Sequence, residues 1–262
     1  MKEIGGYLEF GDIFTNKEYH DKAISLNTAT NALIYLIKLK RIEKIYVPYY
    51  LCDCLNKAKK YCKIEYYKIK ENFEPDFNNV LEKNEFIYIV NYFGMFNNNK
   101  IKKLKKMYIN IIIDNVQAFF QKPLNGVDTI YSCRKFFGVT DGAYLYTNSI
   151  LKENILQDKS KDRFKYLLGR LEENANVNFS DYKINEELLL DLDLAYMSKT
   201  TKLILNAIQY DVVKKKRTEN FKYLNKYLSK TNKLKINNIK GAYMYPYYTE
   251  KAEQIRRELI KS

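Results

Sequence analysis

Histidine is nearly absent from this sequence. His20, in the polar segment NKEYHDK, is the only one. A histidine-based triad would rest on that residue alone, and a solvent-exposed surface position is expected for it. The four cysteines, Cys52, Cys54, Cys62 and Cys133, form no C-x-x-C pair, so a Cys/His zinc site has no framework and no metal is expected. Reduced thiols are the simpler expectation. Neither G-x-x-x-x-G-K-[ST] nor G-x-G-x-x-G occurs, which removes the usual glycine-rich phosphate loops. No apolar run approaches the roughly 20 residues that cross a bilayer. The opening MKEIGGYLEFGD has no apolar stretch of signal-peptide type. A cytoplasmic protein without a membrane partner is expected.

What is present is apolar surface and positive charge. The chain has 262 residues, 46% of them hydrophobic and 15% aromatic, enough for one large domain with or without a small one. The formal charge is +14. A basic patch would point to nucleic acid, but the lysines are spread along the chain in modest runs such as KIKKLKK and VVKKKR. The spread reads as a compositional habit, with nucleic acid as the lesser alternative and attraction for anionic small molecules as a third.

Short apolar runs alternate with helical segments. EKIYVP (43–48), CKIEYYKI (62–69), EFIYIVNYF (85–93) and YINIIIDN (108–115) read as strands rich in Ile, Val and Tyr. ATNALIYLIKLKR, YLCDCLNKAKKY and NKIKKLKKM between them have helical spacing. This alternation predicts an α/β fold, a mainly parallel sheet sandwiched by helices. After about residue 150 the pattern turns helical. RFKYLLGRLEEN, a loop at ANVNFSDY, and one long stretch from EELLLD to KYLS are expected, then a strand or two in KLKINNIKGAYMYPYY and a last helix. The division is a large α/β domain over 1–150 and a mostly helical region with a truncated small domain over 151–262.

Two stretches place chemistry on this frame. SLNTATNAL (25–33) puts small polar residues before a helix. Thr28 and Thr30 can cap it, leaving a helix N-terminus that suits either an ordinary cap or an anion. DNVQA (114–118) ends the IIID run in a carboxylate, which can be a cap, a metal ligand or a partner for a cationic ring nitrogen. A third, TIYSCRKFFGVTDGAYLYT (129–147), sets Lys135 behind Arg134 between two apparent strands.

Taken in order, SLNTATNAL, IYVPYY, IVNYFG, IIIDNVQA and YSCRKFFGVTDGAYLYTN resemble the motif series of the DegT/DnrJ/EryC1/StrS aminotransferases. These are pyridoxal-phosphate enzymes of the type I, aspartate-aminotransferase fold. The resemblance runs motif by motif over residues 5 to 150 and more loosely to the K-R-x-x-N segment at Arg217 and Asn220. It implies that Lys135 carries the cofactor and shuttles protons. It implies that Asp114 pairs with the pyridine nitrogen, and that Gln117 touches the phenolic oxygen. Ala29, Thr30 and Ser132 match positions that cradle the phosphate. Tyr50 is the choice for the residue stacked on the ring, with Cys52 at an equally fitting offset. Arg134 adds positive charge beside Lys135.

The sequence departs from the family pattern in four places, one of them a short span from Asp114 to Lys135. Ser132 stands only three residues before Lys135, the glycine segment after the lysine shrinks to D-G-A (141–143), and RRELIKS ends the chain early. Relatives with histidine at the lysine position act as sugar dehydratases, so Lys135 favours amino transfer. The resemblance further implies a homodimer, an amino-acid donor, with glutamate the choice, and a keto sugar on a nucleotide or phosphate as acceptor, in surface polysaccharide synthesis. Two alternatives stand beside this reading: a fold relative that binds cofactor or sugar nucleotide without turnover, and a basic nucleic-acid-binding protein.

Overall fold

The computed structural model describes residues 17–261. The opening segment MKEIGGYLEFGD and the first part of the family resemblance therefore lie outside the described residues. Eight strands make one sheet: β1 (Ile24–Leu26), β2 (Lys44–Pro48), β3 (Lys63–Ile69), β4 (Pro75–Asp76), β5 (Glu85–Val90), β6 (Ile111–Asp114), β7 (Asp128–Ser132) and β8 (Ala143–Tyr146). Their order across the sheet is β1-β8-β7-β6-β5-β2-β3-β4. The five central strands, β3, β2, β5, β6 and β7, run parallel. β8 is antiparallel to both β7 and β1, so β1 points the same way as the parallel set. After β2 the chain passes to β3 on one side and then returns to β5 on the other. The connection reverses there, and a crevice opens at the carboxyl ends of strands at such a point.

Side-chain alternation explains why the sheet is covered on both faces. Ile45, Val47, Tyr88, Val90 and Ile112 pack on one face with Leu33, Ile34 and Ile37 of α1 (Ala29–Lys40). Tyr46, Ile87, Ile89, Ile111 and Ile113 pack on the other with Ile101 and Leu104 of α2 (Asn98–Met107). Every residue of β5 is buried, as a central strand between two helical layers requires. A third cluster, built on Phe119, Tyr131, Phe136, Phe137 and Tyr144, joins the sheet to later helices through Met197, Leu205 and Tyr210.

Four local expectations need correction. Asp53–Lys60 winds as a 3-10 helix whose first turn has no side-chain cap, so the helical spacing there produces the tighter turn. The ANVNFSDY loop ends early, because α4 (Phe179–Asp191) already contains FSDY and follows α3 (Lys165–Glu172). The long helical stretch is three helices, α4, α5 (Lys199–Ala207) and α6 (Tyr210–Leu228). It breaks because residues beyond α4 are captured by the edge strand β1. The Asn27 amide donates to the Ala195 carbonyl at 3.0 Å, and the Met197 amide to the Ser25 carbonyl at 3.1 Å. An open strand edge offers a better set of partners than continued helix would. The KLKINNIKGAYMYPYY tail holds no strand among the described residues. Arg217 of α6 takes the Ala242 and Tyr243 carbonyls instead. The last helix, α7 (Ala252–Lys261), forms as expected.

His20 is the clearest reversal. It is fully buried, with Nε2 2.8 Å from the Phe119 carbonyl and Nδ1 3.1 Å from the Tyr146 hydroxyl. Its polar sequence neighbours conceal a position set by distant aromatics, and burial pushes its pKa down to about 4. No helix of the described residues is long and apolar enough to cross a membrane. No cluster of metal-ligating side chains occurs among them, and Cys62 and Cys133 are in no disulfide.

Candidate active site

A cavity of about 690 Å³ opens at the carboxyl ends of the parallel strands. Each strand delivers residues to it in turn: Tyr50 and Cys52 after β2, Tyr92 and Phe93 after β5, Asp114 and Gln117 at the end of β6, Ser132 and Lys135 at the end of β7. Ala29 and Thr30, in the first turn of α1, complete the set. All seven residues assigned from the sequence, Ala29, Thr30, Tyr50, Asp114, Gln117, Ser132 and Lys135, line this one space.

Asp114 is nearly inaccessible, at 4% exposure. One carboxylate oxygen accepts from the Val116 amide and the other from the Tyr88 hydroxyl, both at 2.8 Å. Burial raises its pKa to about 6, while those two hydrogen bonds and the charge of Lys135 act in the opposite direction. No ion pair holds Asp114 or Lys135 among the described residues.

The position of Lys135 follows from its neighbours. The Cys133 carbonyl accepts from the amides of Phe136 and Phe137, closing a tight turn after β7. Cys133, Phe136 and Phe137 are buried and anchor that turn, so Arg134 and Lys135 project into the cavity. The Lys135 amine lies 5.5 Å from the centre of the Tyr243 ring. Arg217 straps the same turn: its guanidinium donates to the Phe136 carbonyl at 3.1 Å and sits 4.8 Å over the Phe136 ring. Gly142, from the D-G-A segment, has φ +118, and a Cβ there would meet Cys133 and Thr201 at 3.2 Å. Only glycine suits that backbone.

At the α1 end, Thr28 caps the helix by accepting from the Asn31 amide at 3.1 Å, and no acidic residue occupies the first turn. Buried Asn27 and Asn31 tie this corner to the Asp193 carbonyl at 2.9 Å. The helix thus presents the positive end of its dipole to the cavity without an internal anion to cancel it. Gln117 accepts from the Phe93 amide at 2.9 Å, and Phe93 itself takes φ +57, an uncommon backbone for an aromatic residue. Tyr50 is 59% exposed and stacks on Tyr92, ring centres 5.3 Å apart at 25°. Cys52 lines the same wall and raises the pKa of Asp114 slightly.

Sequence reasoning did not find Tyr88, Tyr92, Phe93, Glu186 or Tyr243. Tyr88 could have been found, since it stands two residues before Val90 on the face that β5 shares with Ile112. Glu186 and Tyr243 arrive from distant helical and irregular segments, which carry no local signal.

This chain has the fold of solved aminotransferases. It is similar in structure to the sugar aminotransferase CalS13 from Micromonospora echinospora, with a TM-score of 0.58 and 14% identity over 92% of this chain and 72% of that one. A DegT DnrJ EryC1 StrS aminotransferase from Brucella abortus matches with a TM-score of 0.52 and 14% identity, over 91% of this chain and 68% of that one. S. venezuelae DesV, solved with a ketimine intermediate, gives 0.56 and 12%, over 91% and 67%. At such identities the likeness is one of fold. No protein-family model and no curated protein matches the sequence.

Proposed function

We propose that this protein is a pyridoxal-phosphate-dependent aminotransferase. It takes an amino group from an amino acid, glutamate by preference, and passes it to a keto sugar carried on a nucleotide or phosphate. The observation that carries the reading is the presence of Lys135 and Asp114 in one cavity, neither of them ion-paired among the described residues. The residues fit the cofactor group by group. A buried carboxylate held by no ion pair among the described residues suits a protonated ring nitrogen, a lysine in the same space suits an aldehyde, and a helix N-terminus with no acidic residue in its first turn suits a phosphate.

Ala29, Thr30 and Ser132 would hold the phosphate. Asp114 would keep the proton on the ring nitrogen, and Tyr88 would keep Asp114 oriented. Because the Gln117 oxygen is engaged by the Phe93 amide, its NH₂ end is the one available to donate to the phenolic oxygen. Tyr50 or Cys52 would cover the ring. When bound, pyridoxal phosphate supplies the electron-withdrawing ring that stores an amino group between donor and acceptor. Lys135 supplies the amine that anchors it and carries a proton to and from the substrate carbon.

Residues 1–150 then form the cofactor-holding domain, and 151–262 contribute the cover through Glu186, Leu189, Tyr243 and Met244. Exposed apolar side chains on α4, Ile184, Leu188 and Leu190, support a homodimer; a strict monomer in light scattering that still turns over would overturn it. The acceptor's setting would be surface polysaccharide synthesis.

Borohydride treatment after addition of pyridoxal phosphate tests the central reading. Peptide mapping should find the label on Lys135, and Lys135→Ala should lose the visible band while keeping its fold. Label scattered over surface lysines would remove the enzyme reading.

A further inference from the structure

A second pocket, of about 330 Å³, lies outside the reaction cavity, and Gln117 is the only lining residue the two have in common. Lys214 and Lys240 line it together with Asn97, Asn98, Asn237 and Asn238, and no aspartate or glutamate does. We propose that this pocket binds the phosphate monoester of a single sugar, at a site separate from the reaction cavity. Such a site does not depend on the aminotransferase reading above.

The pocket is enclosed by segments that are fixed in place. Ala118 and Phe120, both buried, give it an apolar wall. Ile239 sits over Gly94, where an added Cβ would lie 3.6 Å from Ile239 Cγ2. Gly241 pins the end of the same segment. Its amide donates to the Thr218 hydroxyl at 2.8 Å. Its φ is +66, and a Cβ there would come 2.6 Å from the Phe120 ring and 3.1 Å from Cγ of Lys214. The stem of half-buried Lys214 is therefore packed against segment 237–241, which leaves its ammonium as the group with freedom to reach a ligand.

The polar groups are unequally occupied. On the wall nearest the sheet the acceptors are already engaged. Oδ1 of Asn97 takes the Lys100 amide at 3.0 Å, Oδ1 of Asn98 takes the Gln121 side chain at 2.8 Å, and the Gln117 oxygen takes the Phe93 amide. The NH₂ of Asn97 remains as a donor, at the start of α2, whose first turn holds no acidic residue. Among the described residues neither Lys214 nor Lys240 is ion-paired, and the Asn237 and Asn238 side chains have no hydrogen-bond partner.

Two ammonium groups and spare donors without a carboxylate suit an oxyanion, and lysine is a regular partner of phosphate. The carboxamides of Asn237 and Asn238 donate and accept at once, which matches the hydroxyls of a sugar. A bare phosphate would use their NH₂ ends and leave their oxygens idle. The volume sets the size of the ligand. It is near the lower end of ligand cavities, roughly 300–1,000 Å³, which suits one sugar ring with its phosphate better than a whole nucleotide sugar.

Calorimetric titration of the cofactor-free full chain with glucose 1-phosphate tests the site, beside glucose, inorganic phosphate and UDP-glucose. Glucose 1-phosphate should bind about tenfold more tightly than glucose or phosphate alone, and more tightly than UDP-glucose. Lys214→Gln and Lys240→Gln should each weaken it about tenfold, the loss of one charge-assisted hydrogen bond. Joint replacement of Lys215 and Lys216 by Gln removes two charges from exposed positions of the same helix, outside the pocket, and should leave the affinity unchanged. An equal loss in that variant would assign the binding to diffuse positive charge and overturn the proposal. An affinity that survives both pocket substitutions would place the sugar phosphate elsewhere, and UDP-glucose or phosphate bound as tightly would remove the single-sugar ester; each overturns it. If Lys214→Gln does not fold, exposed Lys240 decides alone. The titration reads neither cofactor nor turnover, so failure to label Lys135 with borohydride would leave this site standing.

Discussion

The hydroxyl of Tyr88 lies 2.8 Å from a carboxylate oxygen of Asp114 and donates to it. Tyr88 belongs to β5 and Asp114 to the end of the adjacent β6, where Tyr88 stands opposite Ile112 and Val90 opposite Asp114. The bond therefore runs diagonally across two parallel strands, a reach open to a long aromatic side chain. It favours the ionised form of a carboxyl whose burial already raises its pKa to about 6. Tyr88→Phe removes the donor at almost constant volume. The Asp114 pKa should rise by about one further unit, since a hydrogen bond to a charged group contributes roughly 1.5 kcal/mol or more. Carbon NMR of a labelled carboxyl in the cofactor-free protein would read the shift. An unchanged midpoint would mean that the Val116 amide alone sets the carboxylate.

His20 gives the protein an acid limit of the opposite sign. Its folded pKa lies at about 4, below the ordinary histidine value of roughly 6.5. The folded state therefore binds fewer protons than the unfolded chain between those values. The stability tied to neutral His20 is complete above pH 6.5 and is lost as pH falls toward 4. Its full size is about 3 kcal/mol. Thermal melts from pH 7.5 to 4 should show this decline, and His20→Gln, which retains a donor for the Phe119 carbonyl, should flatten it. Equal slopes in parent and variant would assign the acid loss elsewhere.

Legibility in the sequence followed the range of the forces involved. β5 and β6 were readable because a strand buried on both faces is apolar along its middle, with Glu85 and Asp114 only at the ends, and α1 because its cap and apolar spacing are local. β1 and β4, three and two residues long, are too short to leave a periodic trace. The break between α4 and α5 depends on hydrogen bonds exchanged with a strand edge, from the Asn27 amide to the Ala195 carbonyl and from the Met197 amide to the Ser25 carbonyl, which no property of LDLAYM announces. The buried place of His20 depends on Phe119 and Tyr146, about a hundred residues away along the chain. The assigned site residues could be read because they sit at strand ends and in a helix's first turn. Arg134 was noticed for its charge, but its partner Glu186 comes from a helix whose role is visible only in three dimensions.

Asp114→Asn separates what the carboxylate does for function from what it does to stability. A raised folded pKa means that ionised Asp114 is disfavoured by its surroundings. The sign is the reverse of the His20 case. The contribution is favourable at low pH, where the acid is protonated, and is lost as pH rises from the ordinary carboxylate range through about 6. Above that, the cofactor-free protein carries a cost of about 3 kcal/mol, the equivalent of a shift of some two units. An amide has no such ionisation, and it can still accept from the Val116 amide. The cofactor-free variant should melt at a higher temperature than the parent at pH 7.5, with the gap closing below pH 4. Turnover should move the other way, falling by orders of magnitude, because an amide cannot hold a proton on a ring nitrogen. A carboxylate retained at a cost to stability is the signature expected of a group kept for chemistry. Matching melting temperatures at pH 7.5, together with turnover within a few-fold of the parent, would take Asp114 out of that role.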